Sequence, residues 1–152
     1  MPKIDISAIP VKTGSTYPGA LAATMEGRSQ IPVGNAGGIS QFGANIVTLS
    51  PCALSSLRHW HENQDEILVV LSGELTLVDD TGDTILHPGD VAAFPAGDEN
   101  GHHLINRSGS TASFFVVGTH TPTETGWYSD HDLKVTKEKG RFDFTRKDGA
   151  AI

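Results

Sequence analysis

Between residues 41 and 119 the chain is a succession of eight short runs of β-forming residues, each ended by turn residues. Short runs of this kind, separated by Gly, Pro and Asp, predict strands and hairpins. Eight of them with little helical periodicity indicate an all-β sandwich or small barrel. The 152 residues are enough for one domain. The predicted strands span 44–49, 55–61, 66–71, 74–78, 84–86, 90–94, 102–106 and 112–118.

The segments on either side of this region have a different character. Residues 1–40 contain many Pro and Gly residues and predict an irregular N-terminal arm with a helical turn near 21–26. Residues 120–152 predict a polar C-terminal extension with one last strand near 133–135, and Trp127 and Tyr128 are candidates for packing it on the barrel. We therefore divide the chain into an arm (1–40), a barrel (41–119) and an extension (120–152).

The run 67–71, Ile-Leu-Val-Val-Leu, does not alternate between apolar and polar residues. A strand that is apolar on both faces is covered on both faces. One face belongs to the barrel interior, and the other is covered either by the arm or by a second subunit. We expect a homodimer.

Composition argues against several kinds of partner. The formal net charge of −7 disfavours nucleic acid and anionic membranes. The sequence contains no apolar stretch near the ~18 residues of a membrane helix and no signal-peptide run at its start. Cys52 is the single cysteine, which excludes an internal disulfide and fits a reducing compartment. We expect a cytoplasmic protein that binds a small molecule.

A candidate metal site is formed by His59, His61 and Glu66. Side chains at i and i+2 of a strand point to the same face, so both imidazoles can reach one point. Glu66 begins the next predicted strand after a short polar connection. Two histidines and one carboxylate on one side of an ion leave its other positions open, which favours a catalytic site over a closed structural one. A His-x-His pair alone would be a weak signal.

The spacing around this cluster resembles the two motifs of the cupin superfamily. The chain reads His59-x-His61, four residues, Glu66, six residues, Gly73, and later Gly89, five residues, Pro95-Ala96-Gly97 and His102-x-x-x-Asn106. The chain is most similar to small stand-alone cupins of the cupin 2 conserved-barrel type, a functionally undefined group. The resemblance implies a double-stranded β-helix, or jelly roll. It also implies His102 as the fourth ligand of one divalent transition metal: Fe, Mn, Ni, Co, Cu or Zn.

The sequence departs from the family pattern at three places. Ala53 stands where a glycine usually opens the first motif. Residues 98–101 lengthen the loop before the second-motif histidine. His103 follows His102, and adjacent strand residues face opposite ways, so only one of them can point inward. The motif spacing selects His102.

Strand alternation also predicts the lining of the site. Counting from the histidines and from Glu66 places Leu57, Leu68 and Leu104 inward with Phe94, and these four are our candidate substrate contacts. Arg58 points outward, towards an interface or a surface ion pair. Glu66 is the candidate catalytic base if it leaves the metal.

A mostly apolar lining slightly favours a metal-dependent dioxygenase-like enzyme acting on a small molecule. A sugar-phosphate isomerase or epimerase needs cations to hold the phosphate, and the alternation places none inside. Asp98 and Glu99 at the rim likewise predict a neutral or weakly charged substrate. The alternatives are such an isomerase or epimerase, or a non-catalytic sensor module that binds a small ligand.

Overall fold

The fold is built almost entirely from antiparallel strands. The structure, a computed structural model, describes residues 2–152. The strands are β1 (Lys12–Thr13), β2 (Arg28–Ile31), β3 (Phe42–Leu49), β4 (His59–His61), β5 (Glu66–Ser72), β6 (Leu75–Asp79), β7 (Gly82–Leu86), β8 (Val91–Phe94), β9 (His103–Ile105), β10 (Ala112–Thr119), β11 (Thr123–Tyr128), β12 (Lys134–Glu138) and β13 (Arg141–Thr145). The helical elements are short: two 3₁₀ segments, Ile6–Ala8 and Gly19–Met25, and α1 (Val33–Ala36).

One wall of the barrel is a six-stranded sheet in the order β1-β2-β3-β10-β5-β8. The opposite wall consists of β13-β12-β11-β4 and of β7-β6-β9. A bridge between His59 and His102 joins these two smaller sheets. The bridge therefore places the two motif histidines on adjacent chain segments. The result is the all-β jelly roll that the sequence predicts.

The main core lies between the two walls. Alternate residues of the central strands point inward, as strand geometry requires. Val47, Leu68 and Phe114 from one wall meet Leu75 and Leu104 from the other. A second, smaller core joins Leu57, Tyr128 and Leu133, with Tyr17 of the arm packed against it. The arm and the extension thus have an apolar core of their own at one end of the barrel.

Gly73 ends β5 and turns the chain into β6. Its φ is +73°, in the left-handed region that favours glycine. A Cβ added there would lie 2.7 Å from the Cβ of Ala112. The motif glycine is therefore required both by its backbone conformation and by the close approach of β10.

The first metal-bearing strand is shorter than the sequence predicts. The predicted run 55–61 is a strand only from His59 onward. The preceding residues bend, because Ser55 bonds to Leu104 through both its backbone N–H and its hydroxyl, and Ser55 O accepts from the Arg28 side chain. Alternation counted back from His59 is therefore unreliable at Leu57.

The flanking segments contain more strand than expected. In the arm, β1 and β2 form a ribbon whose inner strand pairs with β3. In the extension, three strands are present instead of one, and β11 pairs with β4. Cys52 is exposed, at a φ of 70°. Within residues 2–152, every helix is too short or too polar to span a membrane.

Candidate metal centre

Strand β4 presents His59 and His61 to the barrel interior and Trp60 to the opposite face. Trp60 stacks on Trp127 of the neighbouring strand, with ring centroids 6.0 Å apart. Glu66 opens β5 on the facing wall, and His102 reaches the same region through its bridge to His59. Three separate segments thus bring the four predicted ligands together.

The donor atoms lie at distances that suit a common ion. His59 Nε2 is 3.1 Å from His61 Nε2, and His61 Nε2 is 3.7 Å from Glu66 Oε2. His59, His61 and Glu66 each offer a ligand atom within 4.8 Å of the others. Metal–ligand bonds of about 2.0–2.1 Å place neighbouring donors roughly 2.8–3.4 Å apart in octahedral or tetrahedral sites. The three residues therefore fit a transition metal without large rearrangement.

His102 stands at the edge of this cluster. It is outside the group of three, but its Nε2 is 3.1 Å from Glu66 Oε1. A carboxylate oxygen accepts, so the imidazole donates its Nε2 proton in this state. Metal ligation by this nitrogen requires the loss of that proton. The side chain of His102 is only 5% exposed.

The tautomer of His59 is fixed by its backbone contact. Its Nδ1 lies 2.8 Å from the carbonyl oxygen of Leu57, which can only accept, so Nδ1 carries the proton. Nε2 of the neutral ring then holds its lone pair towards His61. A second partner that sets the tautomer of a ligating histidine is the usual arrangement in metal sites.

Burial sets the protonation states. It lowers the pKa of His59 to about 3, with smaller contributions from His61 and His102, and it also lowers the pKa of His61. Burial alone would raise the pKa of Glu66, but the hydrogen bond from His102 and the nearby histidines lower it overall. At neutral pH His59 and His61 are neutral and Glu66 is ionised, as metal binding requires.

Comparison with known proteins identifies the barrel. A family model described as "Cupin domain" matches residues 45–118. The crystal structure of a sugar phosphate isomerase from a cupin superfamily, from Silicibacter pomeroyi, is 55% identical and covers 99% of this chain and 96% of its own, with a TM-score of 0.98. The chain belongs to the cupin superfamily. The resemblance predicted from the two motifs is confirmed.

Other solved structures share the fold at lower identity. A protein from Acidithiobacillus ferrooxidans is 22% identical over 82% of this chain and 80% of its own, with a TM-score of 0.75. The polyketide cyclase RemF from Streptomyces resistomycificus is 22% identical over 78% of this chain and 79% of its own, with a TM-score of 0.64. A search of curated proteins found no match.

The predicted lining residues of this cupin divide into two groups. Leu68 and Leu104 line a cavity that opens from the histidine cluster. Phe94 lies parallel to His102, with ring centroids 3.4 Å apart, and faces a second cavity. The prediction for Leu57 is wrong, because its side chain is buried against Tyr128 and Leu133. Its backbone carbonyl instead orients His59.

The two neighbouring residues Arg58 and His103 point away from the cluster, as alternation predicts. Arg58 bonds Asp130 through two nitrogens and also contacts Asp80 and Gly101 O. The expected surface ion pair is present and fastens the loop 98–101 to the extension. His103 donates from Nδ1 to Ser56 O.

The larger cavity, of about 680 Å³, is more polar than the sequence suggests. Its wall includes Arg28 and Lys12 from the arm, which overturns the expectation that no cationic group lies inside. Sequence reasoning missed them because an arm rich in Pro and Gly gave no strand signal. The alternation Arg28-Ser29-Gln30-Ile31 was the one available hint. Further polar side chains lining this cavity are Gln30, Asn45, Ser55 and Gln64.

The smaller cavity, of about 300 Å³, also has His61 and His102 in its wall. Its lining combines apolar residues of β6, β7 and β8 with Asp79, Asp98 and Asn100. The inserted loop 98–101 therefore borders this smaller cavity and not the cationic one. Asp98 consequently gives no reason to expect a neutral substrate in the larger cavity.

Proposed function

We propose that this cupin is a metal-dependent enzyme that isomerises a small sugar or a similar hydroxy-carbonyl compound. One observation carries the proposal: the cavity beside the histidine cluster is lined by hydrogen-bonding side chains. Gln30 and Asn45 supply amide donors and acceptors, and Ser55 and Gln64 add others. Directional groups of this kind suit a polyhydroxylated ligand better than an apolar one.

The likeness to the Silicibacter pomeroyi protein supports this choice. That protein carries the name sugar phosphate isomerase and shares 55% of its residues with this chain over almost the whole length. The preference for a dioxygenase depended on an apolar lining, and residues such as Leu68, Leu104 and Phe114 do form much of the wall. The polar side chains and the two cations of the arm are what favour the isomerase. An oxygenase remains the alternative that the assay below separates.

We propose that His59, His61, Glu66 and His102 hold one divalent transition metal, with Fe, Mn, Ni, Co, Cu and Zn as candidates. Bound there, such an ion supplies Lewis-acid polarisation of substrate oxygens. The Leu57 carbonyl keeps His59 in the tautomer whose Nε2 can ligate. The Nε2–H group of His102 is directed at Glu66 Oε1. His102 can bind the metal through Nε2 only after this nitrogen loses its proton, and Glu66 is the group in contact with that proton.

Glu66 is the group in the cluster that can move a proton. Sugar isomerisation moves a proton from the carbon beside a carbonyl to the carbonyl carbon, while the hydroxyl proton moves to the former carbonyl oxygen, with no net gain or loss of atoms. Glu66 is ionised at neutral pH and has two carboxylate oxygens, of which a metal ion need take only one. We propose that the oxygen not bound to the metal accepts and returns the proton.

The test is a proton NMR assay of metal-loaded protein with aldoses and ketoses, both phosphorylated and free, in heavy water. We expect interconversion of an aldose–ketose pair, deuterium incorporation at one carbon, and no oxygen uptake. Oxygen consumption with product formation would favour the dioxygenase. Saturable binding of a sugar with neither conversion nor oxygen uptake would favour a sensor module.

We also propose a homodimer that buries the outer face of the six-stranded sheet. Ile46, Phe115, Val69 and Val91 occupy one cross-strand row on that face. Val91 is 59% exposed, and the nearby Ile67 is 48% exposed. Sedimentation at micromolar concentration should give twice the chain mass, and Val69→Lys should give monomers. A monomeric parent protein would refute the dimer.

A further inference from the structure

We propose that the β1–β2 ribbon of the arm forms a subsite for a phosphate monoester in the wall of the larger cavity, which also contains the histidine cluster. The proposal rests on the proposed function and names the substrate class as phosphorylated. Its residues lie outside the segment 45–118 that matches the cupin domain family. The subsite would therefore be a feature of this chain's arm and not of the barrel common to cupins.

Topology places the cationic residues together. Lys12 is the cross-strand partner of Gln30, and Arg28 lies two residues before Gln30 on the same strand. Residues opposite one another and residues two apart share one face of a ribbon. All three line the larger cavity, so this face is the inner one.

The guanidinium of Arg28 is held with part of its donor set free. Its Nε donates to Ser55 O at 2.7 Å, and its Nη2 donates to Gln30 Oε1 at 2.9 Å. In residues 2–152, Nη1 makes no hydrogen bond to protein and no carboxylate lies within salt-bridge distance of Arg28. The side chain is thus oriented by neutral partners, and its charge is left for a ligand.

Arg58, the other partly buried arginine, has the counter-ions that Arg28 lacks in the described part of the chain. Arg58 binds Asp130 with two nitrogens and Asp80 with a third. Arg28 is partly buried too, and burial lowers its pKa, but it has only a carbonyl and an amide as partners. A half-buried cation without a counter-ion is stabilised by an anionic ligand. A phosphate is well suited, because a guanidinium can bind it through two parallel bonds.

The chain next to Lys12 supplies further donors. Thr13, Ser15 and Thr16 line the same cavity, around a turn at Gly14 whose φ is +86°. Ser15 Oγ accepts from the backbone N–H of Tyr17, which fixes the turn. Hydroxyl donors beside two cations suit an oxyanion with several acceptor oxygens, whereas a neutral sugar would leave both charges unpaired.

Inorganic phosphate is the probe. Its binding to metal-loaded protein would be measured by calorimetry for the parent chain, Arg28→Gln, Lys12→Gln and the exposed control Arg146→Gln. We expect Arg28→Gln to weaken phosphate binding at least tenfold and Lys12→Gln a few-fold, with the control unchanged. Metal content should stay the same in all four, because none of these residues touches the histidine cluster. Lys12 is exposed, so its variant reports on the subsite even if Arg28→Gln folds poorly.

Equal phosphate affinity in the parent and both arm variants would overturn the subsite, as would the absence of phosphate binding at millimolar concentration. Binding that disappears when the metal is stripped and ignores Arg28→Gln would place phosphate on the ion instead. The two proposals fail separately. Arg28-dependent phosphate binding without isomerisation refutes only the function, and isomerisation of free sugars by a protein that binds no phosphate refutes only the subsite.

Discussion

The barrel strands and the flanking segments contribute different parts of the site. The four proposed ligands lie within residues 45–118, on β4, on β5 and directly before β9. The cationic wall of the larger cavity comes from the arm, and the extension supports β4 from outside through β11. In this cupin the proposed ion site belongs to the shared barrel, and the cations of the larger cavity belong to the arm. Changes to these cations can therefore alter the cavity without touching the proposed ligands.

The largest expected effect is the loss of metal affinity when Glu66, a barrel residue, is replaced. Glu66→Gln keeps the shape of the side chain and removes its charge. Changes to groups that merely support metal ligands cost about 10–100-fold in affinity, so loss of the ligand charge should cost at least about 100-fold. A metal titration followed by competition with a chelator measures it. Unchanged affinity would remove Glu66 from the ligand set.

The matching change on the flank is Leu133→Ala. Leu133 is 3% exposed in the smaller core, beside Leu57 and Tyr128. Deleting a buried leucine side chain costs about 2–5 kcal/mol of unfolding free energy. The folded fraction should nevertheless bind metal, since the extension supplies no proposed ligand. Denaturant unfolding and metal content together test this, and loss of the metal from folded protein would show that the two regions are not separable.

The pH dependence of the metal-free protein is a third test. Histidine titrates near pH ~6.5 when unfolded, whereas the folded pKa of His59 is about 3. Between these values the unfolded chain takes up the proton first, so acidification destabilises the fold. His59 alone contributes about 1.4 kcal/mol per pH unit in this window. The lowered pKa of His61 adds to this, and the lowered pKa of Glu66 acts in the same direction below about pH 4.3.

Urea unfolding of stripped protein at a series of pH values checks the slope. His59→Asn should reduce it. A flat profile from pH 6.5 to 4 in the parent protein would mean that His59 is not buried as a neutral group.

The smallest effect is expected at His103. Its Nδ1 hydrogen bond to Ser56 O is worth about 1 kcal/mol, and its ring faces away from the cluster. His103→Ala should lower stability slightly and leave metal content unchanged. Loss of metal in this variant, with retention in His102→Ala, would invert the assignment made from strand alternation.

The division between barrel and flanking segments also explains which features could be predicted from the sequence. Strand periodicity predicts that His59 and His61 face one point, and the short connection to Glu66 predicts that its carboxylate joins them. The choice of His102 over His103 followed from the motif spacing, and the structure turns His102 towards Glu66. The fold class followed from the turn-separated runs and was confirmed.

Long-range pairing was not predictable in this way. Leu57 was misplaced because Ser55 bonds to Leu104, 49 residues away, and bends the chain before β4. Arg28 was missed because its position depends on the pairing of β2 with β3, for which the alternation at 28–31 is only a weak signal. The position of β11 in the extension likewise depends on its pairing with β4. Contacts between distant segments decide these features, and they decide the character of the larger cavity.

The central claim is that His59, His61, Glu66 and His102 hold one metal ion, and elemental analysis of protein purified without a metal-binding tag tests it most directly. The parent chain and His103→Ala should each contain about one equivalent of a divalent transition metal. His61→Ala should contain almost none, because removing one of two adjacent imidazoles breaks the group of three donors. Near-full occupancy in His61→Ala would contradict the assignment.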